Sequence, residues 1–434
     1  MNTRFAFGKN GIDVPAPDGF DCQVVHSRSA APLAALNAAS DAAIETAIKA
    51  ALDRPIGCAS LLDLARGQRT AAISVCDITR PAPNRLTLPP LLARLHAAGI
   101  PIDGVTILIA TGLHRAATPE ELDIIVGPEI AAQYRVVSHD ARDFAAHRPL
   151  GSTQRGTPVF IDERFMAADL HITLGFVEQH LMLGFSGGRK LIAPGLAAQQ
   201  TIKTIHSPRF MREPLATEGS ISGNPLHAEL LQIARMARHD FILDVTLTQD
   251  RQISGIFAGE PVQAHAAAVA FLEETSLAPL PALADAVITS AAGYPLDLTF
   301  YQTLKGVTAA QHIVKPGGRI LVLAECAEGI GSPEFERLVA AYQGHQQYLE
   351  AIREAPVQVD QWQLEKLALV GLERDVYFYT PGARPEQLGT LGASTFGDLN
   401  QAIAALLDGL PADARILLVP EGPYTYARAV PAYA

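Results

Sequence analysis

Short apolar runs, each ending in a turn and followed by a helix-like stretch, recur along most of this chain. The run Arg69–Val75 is continuously apolar enough to be a buried parallel strand, and it ends in Cys76-Asp77-Ile-Thr79-Arg80-Pro81. A helix is predicted over Leu88–Ala98, a strand over Gly104–Ala110, then the turn Thr111-Gly-Leu-His114-Arg115 and a helix opened by Thr118 as N-cap with Pro119 in first position. Strands follow over Arg135–Ser138, Pro158–Asp162, Ile172–Val177, Phe241–Thr248 and Ile253–Gly259, with helices over Ala197–His206, from Asn224 to His227 onward, and over Pro261–Glu274. An opening hairpin is read over residues 3–15 and an Ala-rich helix over Ala31–Ala51.

A proline-bearing stretch, Leu277–Leu283, reads as a linker. Beyond it come a strand at Ala286–Ser290, a helix around Tyr301–Gly306, the Pro-Gly-Gly turn and strand Lys315–Leu323, helices over Pro333–Ala355, and strands at Asp375–Thr380 and Ala414–Val419. At 434 residues, two domains are the natural division. The expectation is an α/β protein of two α/β domains with largely parallel sheets and an active-site cleft between them. The first covers residues 1–276, with the last strand (412–434) returning to it, and the second covers 284–411.

Polar chemistry concentrates between His171 and His206. The apolar run ending at Val177 passes His180 and enters Gly184-Phe-Ser186-Gly187-Gly188, which delivers Arg189 and Lys190. Two glycines permit positive φ and close approach of a ligand, so the turn suits a phosphate beside the Lys190 amine. Arg189 separates glycine from lysine and Leu191 follows, so it is not a P-loop. In open α/β sheets ligands gather at the carboxyl ends of strands, which places Asp77, Arg80 and His114 to touch one. On a helix Tyr301, Gln302 and Lys305 share a face. His139, His147, His171 and His227 are read as structural.

Charge and cysteine content exclude several classes. Net charge is −11, from 34 basic against 45 acidic side chains with no long basic run, which argues against nucleic acid. No stretch offers 18 uninterrupted apolar residues, so a soluble, cytoplasmic protein is expected. Cys22, Cys58, Cys76 and Cys326 show no CxxC spacing, which removes a disulfide framework and a cysteine zinc site.

The blocks Asp77-x-Thr79-Arg80-Pro81, Thr111-Gly-x-His114-Arg115, His180 with Gly184-Phe-Ser-Gly-Gly-Arg-Lys190, Pro194-Gly195 with His206, and Tyr301-Gln302-x-x-Lys305 resemble, in order, those of the nickel-dependent lactate racemase family. The resemblance implies a nickel pincer nucleotide (a pyridinium-3,5-bisthiocarboxylic acid mononucleotide carrying nickel) attached to Lys190 through a thioamide. It implies His206 as the nickel ligand, and Asp77, Thr79, Ser186, Gly187 and Gly188 around the cofactor. His114 and His180 would be two acid/base catalysts, and Arg80, Tyr301, Gln302 and Lys305 would bind substrate.

The implied reaction is racemisation or epimerisation of a small 2-hydroxy acid by reversible hydride transfer, dependent on separate cofactor-biosynthesis enzymes. The resemblance leaves open which acid and which oligomeric state. Two rivals are a zinc or iron hydrolase ligated by His114, His180 and His206, and a non-catalytic nucleotide-binding protein using the glycine turn alone.

Overall fold

The computed structural model describes residues 2–33, 41–383, 385–389 and 391–430. Contacts divide the chain into two units, one of Ser29–Ile205 with Leu215–Thr275, the other of Met1–Arg28, His206–Pro214 and Ser276–Ala434.

The first unit is built on a six-stranded sheet. Across it lie Ile253–Gly259, Phe241–Leu247, Leu170–Phe176, Ala71–Cys76, Val105–Ala110 and Arg135–Ser138. All neighbours are parallel except the first pair, an antiparallel hairpin edge. Every residue of Ala71–Cys76 and of Leu170–Phe176 is buried, as strands covered on both faces must be. One face packs Ile73, Val75, Ile107, Ile109, Ile172 and Leu174 against Leu88, Leu91, Leu92 and Leu95 of the helix Asn84–Ala97. Burying each such side chain stabilises by roughly 1.5–3 kcal/mol.

Chain order across this sheet matters for function. From Ala71–Cys76 the chain moves outward through Val105–Ala110 to Arg135–Ser138. It then returns to the other side of Ala71–Cys76 and runs outward again. This is a doubly wound order, and its direction reverses between Ala71–Cys76 and Leu170–Phe176. A crevice outside the carboxyl ends of those two strands is where such sheets bind ligands.

The second unit carries a fully parallel six-stranded sheet in the order Ser394–Phe396, Asp375–Tyr379, Val314–Leu323, Ala284–Ser290, Arg415–Val419, Asp21–Val24. The helix Phe300–Ala310 covers one face through Phe300, Leu304 and Val307.

Three expectations are corrected here. The last strand does not return to the first unit: Arg415–Val419 lies between Ala284–Ser290 and Asp21–Val24 in the second sheet. The N-terminal 28 residues, expected in the first domain, belong to the second unit with it. An apolar run specifies burial but not which neighbour it pairs with, so the pattern alone could not assign it. The linker stretch contains a strand, Ala278–Leu280, paired in parallel with Ala427–Ala429. Of the helix expected over Ala31–Ala51, residues 34–40 lie outside the described residues, and a helix runs over Asp41–Asp53.

Candidate active site

In the first unit three loops leave the carboxyl edge of adjacent central strands. The loop after Ala71–Cys76 carries Asp77, Thr79 and Arg80, the one after Val105–Ala110 carries His114, and the one after Leu170–Phe176 carries His180 and Lys190. Asp77 and His114 meet directly: His114 Nδ1 donates to Asp77 Oδ2 at 2.7 Å. Thr79 Oγ1 donates to Asp77 Oδ1 at 2.6 Å. Burial alone would raise the Asp77 carboxyl. The His114 hydrogen bond and charge, the Arg80 guanidinium and the Thr79 hydroxyl outweigh it and hold the group below the usual carboxylate range. An ionised Asp77 therefore fixes the His114 ring and leaves Nε2 as its accepting nitrogen.

His180 is set differently. It sits in the short hairpin Gln179–His180 with Gly184–Phe185, and its Nδ1 accepts the backbone N–H groups of Met182 and Leu183, each at 3.3 Å. The turn from this hairpin closes tightly, because Gly184 at φ +74° has Ser220 O only 2.2 Å from where a Cβ would stand.

Lys190 follows in the single turn Gly188–Leu191. Burial, and next the neighbouring Arg80 guanidinium, pull its ammonium down to about 7, so near neutrality much of it is free amine. A half-buried, partly neutral amine is a nucleophile, and in this respect the residues present fit a group attached covalently at Lys190.

Some expected roles change. Gly187 and Gly188 have the positive φ anticipated, +86° and +44°. However, the Gly188 N–H donates to Asp244 Oδ2 at 2.8 Å and the Lys190 N–H to Gly187 O at 3.1 Å, so the turn does not offer these amides to a phosphate. Ser186, expected beside the cofactor, is buried; its hydroxyl donates to Phe176 O at 3.1 Å and accepts from Glu178 N at 3.0 Å, which staples the hairpin instead. Thr79 supports Asp77, and Asp77 supports His114.

In the second unit, Tyr301, Gln302 and Lys305 lie half-buried on the helix Phe300–Ala310. Trp362 Nε1 donates to Tyr301 Oη at 3.1 Å, and Gln363 Nε2 donates to Tyr301 O at 3.0 Å. Gln302 Oε1 is buried without a hydrogen-bond partner among the described residues.

His206, expected in the first domain, belongs here: its ring packs on Trp362 with centroids 4.5 Å apart. The helix Gln199–Ile205 stops one residue before it. The segment after it is tied to the helix Gln361–Gly371 by Arg212 Nε donating to Glu365 at 2.8 Å and Lys366 Nζ to Met211 O at 2.8 Å.

Among the described residues, no three His, Cys, Asp or Glu side chains gather to hold a metal.

With this geometry in view, comparison with known proteins is decisive. The lactate racemase N-terminal domain family matches residues 7–219 and the lactate racemase C-terminal domain family residues 281–424. A lactate racemase of Thermoanaerobacterium thermosaccharolyticum is 32% identical over 425 residues, 97% of this chain and 98% of that protein. The chain belongs to the lactate racemase family. A lactate racemase of Lactiplantibacillus plantarum is 33% identical over 379 residues, 86% of this chain and 89% of that one. The solved lactate racemase apoprotein from T. thermosaccharolyticum superposes with a TM-score of 0.89 at 32% identity, covering 99% of this chain and 100% of that one. A protein from Thermotoga maritima shares the fold at a TM-score of 0.68 and 15% identity, over 90% and 98% of the two chains. The α/β architecture of two units with largely parallel sheets is that of the family.

Sequence reasoning missed one side chain in each unit. Asp244 interrupts the apolar strand Phe241–Leu247, and an ionisable residue inside a fully buried run was a visible signal. Trp362, the chain's one tryptophan, carried no motif to draw attention to it.

Proposed function

We propose that this lactate racemase family member interconverts the stereoisomers of a small 2-hydroxy acid, with lactate the first candidate, using a nickel pincer nucleotide attached to Lys190. The observation that carries the reading is the Asp77–His114 pair beside Arg80 and Lys190, at the point where the chain order of a doubly wound sheet reverses.

The carbon-bound hydrogen of such an anion is too weakly acidic for a histidine to remove. When bound, the nickel nucleotide supplies a reversible two-electron acceptor, which avoids that obstacle. The chain's own residues handle the substrate and its proton. The Arg80 guanidinium pairs with the substrate carboxylate through its planar fork. His114 takes the hydroxyl proton on Nε2, while the ionised Asp77 at 2.7 Å steadies the imidazolium that results. His180 serves the opposite enantiomer, since each needs its own proton-transfer group. Tyr301, Gln302 and Lys305 are further substrate-binding groups, the buried Gln302 Oε1 being suited to accept from a hydroxyl. The His206 imidazole is the protein's donor to nickel.

The test is a chiral assay over a panel of 2-hydroxy acids on protein co-produced with the cofactor-biosynthesis enzymes. His114→Ala and His180→Ala should each lose about 10²–10⁴-fold in rate with nickel retained. His206→Ala should lose nickel, and Lys190→Ala should lack the cofactor's mass increment. Full racemisation by both the His114 and the His180 variants would remove their assigned roles.

A further inference from the structure

Directly beneath the glycine turn lies a pair of buried ionisable groups that the reaction itself does not use, Arg189 and Asp244, the latter's carboxyl pushed up by burial to about 7. Arg189 is 2% exposed, yet among the described residues its guanidinium pairs with no carboxylate. Its Nη2 donates to Phe185 O at 2.9 Å and to Leu183 O at 3.3 Å, and its Nη1 to Gly187 O at 3.4 Å and to His265 Nε2 at 2.7 Å. His265 Nε2 lies 2.7 Å from Ser186 O as well as from Arg189, and burial together with this cation holds the ring neutral. From the opposite side Asp244, fully buried on the strand Phe241–Leu247, accepts the Gly188 N–H at 2.8 Å. Gly187 lies close against Asp244: a Cβ there would stand 2.6 Å from Asp244 Oδ2.

These contacts end on the lysine. Gly187 O, held by Arg189, also accepts the Lys190 N–H at 3.1 Å, and Lys190 O accepts from Gly195 N at 3.1 Å. The Lys190 N–H is thus fixed by Gly187, which Arg189 holds and whose neighbour Gly188 is bonded by Asp244, while Gly195 fixes its carbonyl. Buried ionisable groups are costly unless they are met by hydrogen bonds, so a guanidinium and a carboxyl kept here without pairing to each other call for a local reason.

We propose that Asp244 and Arg189 are positioning residues for Lys190, clamping the Gly187-Gly188 turn from opposite faces so that the lysine amine is held in its half-buried place. Neither touches substrate. The proposal deepens the reading of Lys190 as the attachment site and rests on it for its functional meaning, but its geometry is testable without cofactor.

The test is competitive acetylation of the cofactor-free protein with acetic anhydride across a pH series, read at the Lys190 peptide by mass spectrometry against exposed Lys9. In the parent, Lys190 should reach half its full reactivity near pH 7, because its amine loses its proton as pH rises through that value. Asp244→Ala removes both charge and acceptor, and should let the amine relax into solvent, moving the midpoint up by a unit or more. Asp244→Asn removes the charge but keeps an oxygen for Gly188, and should stay with the parent.

Should Asp244→Ala fail to fold, Arg189→Lys carries the same comparison, since an ammonium keeps the charge but cannot span three carbonyls. Parent-like titration of Lys190 in folded Asp244→Ala or Arg189→Lys would overturn the clamp, as would an Asn variant shifted as far as the Ala one. Failure of the attachment reading would show separately, as a retained mass increment in Lys190→Ala after co-production with the cofactor enzymes.

Discussion

At the scale of single residues, the site works by one side chain setting the state of another. Asp77 is the clearest case, because its carboxylate fixes which nitrogen of His114 is bare and balances the ring's charge once a proton arrives. Asp77→Asn keeps the shape but can turn its amide toward the ring, which favours the wrong tautomer. We expect kcat to fall by about 10²-fold or more with KM little changed. Because Asp77 is held below the usual carboxylate range, its support for His114 is present at neutral pH and is lost only as acid protonates it. The Asn variant should therefore be slow at every pH, and a variant that recovered parental rate at high pH would contradict the assignment. Residues such as Asp77 and His114 were legible because each follows an apolar run directly. Their contact with each other was not, since it joins two separate loops.

At the scale of elements, the hairpin Gln179–His180 with Gly184–Phe185 and the turn behind it form one small device. Its shape depends on Gly184, which sits at positive φ against the Ser220 carbonyl. Gly184→Ala should cost on the order of 2 kcal/mol or more from backbone strain and overpacking, measurable as a lowered urea midpoint. It should also disturb His180 before the Asp77–His114 pair, so racemisation should fall in both directions together, since each direction passes through both proton-transfer groups. The strand-turn pattern of this region was readable from glycines and apolar runs. The tasks of its polar groups were not: Ser186 and the Gly188 amide serve the protein's own backbone and Asp244, a choice made by three-dimensional neighbours far apart in sequence.

At the scale of the whole molecule, the alternation of strands and helices gave the α/β class, but the membership of its two units escaped it. Arg415–Val419 is the connecting strand of the second sheet, bonded on one side to Ala284–Ser290 and on the other to Asp21–Val24. Truncation before Ala414 should therefore expose two ladders at once and unfold that unit, while amides in Ala71–Cys76 and Leu170–Phe176 keep their protection from hydrogen exchange. Equal loss of protection in both sheets would show that the units do not fold independently.

The same pairing bears on synthesis at the ribosome. Residues 21–24 emerge early, yet the strand they bond to is made almost four hundred residues later. While Ser29–Ile205 and its partner segment can complete a core during translation, Asp21–Val24 must wait for Arg415–Val419 before its ladder can form. A fusion or tag that hinders the early segment should therefore act late, on the final closure of the second sheet rather than on the first unit.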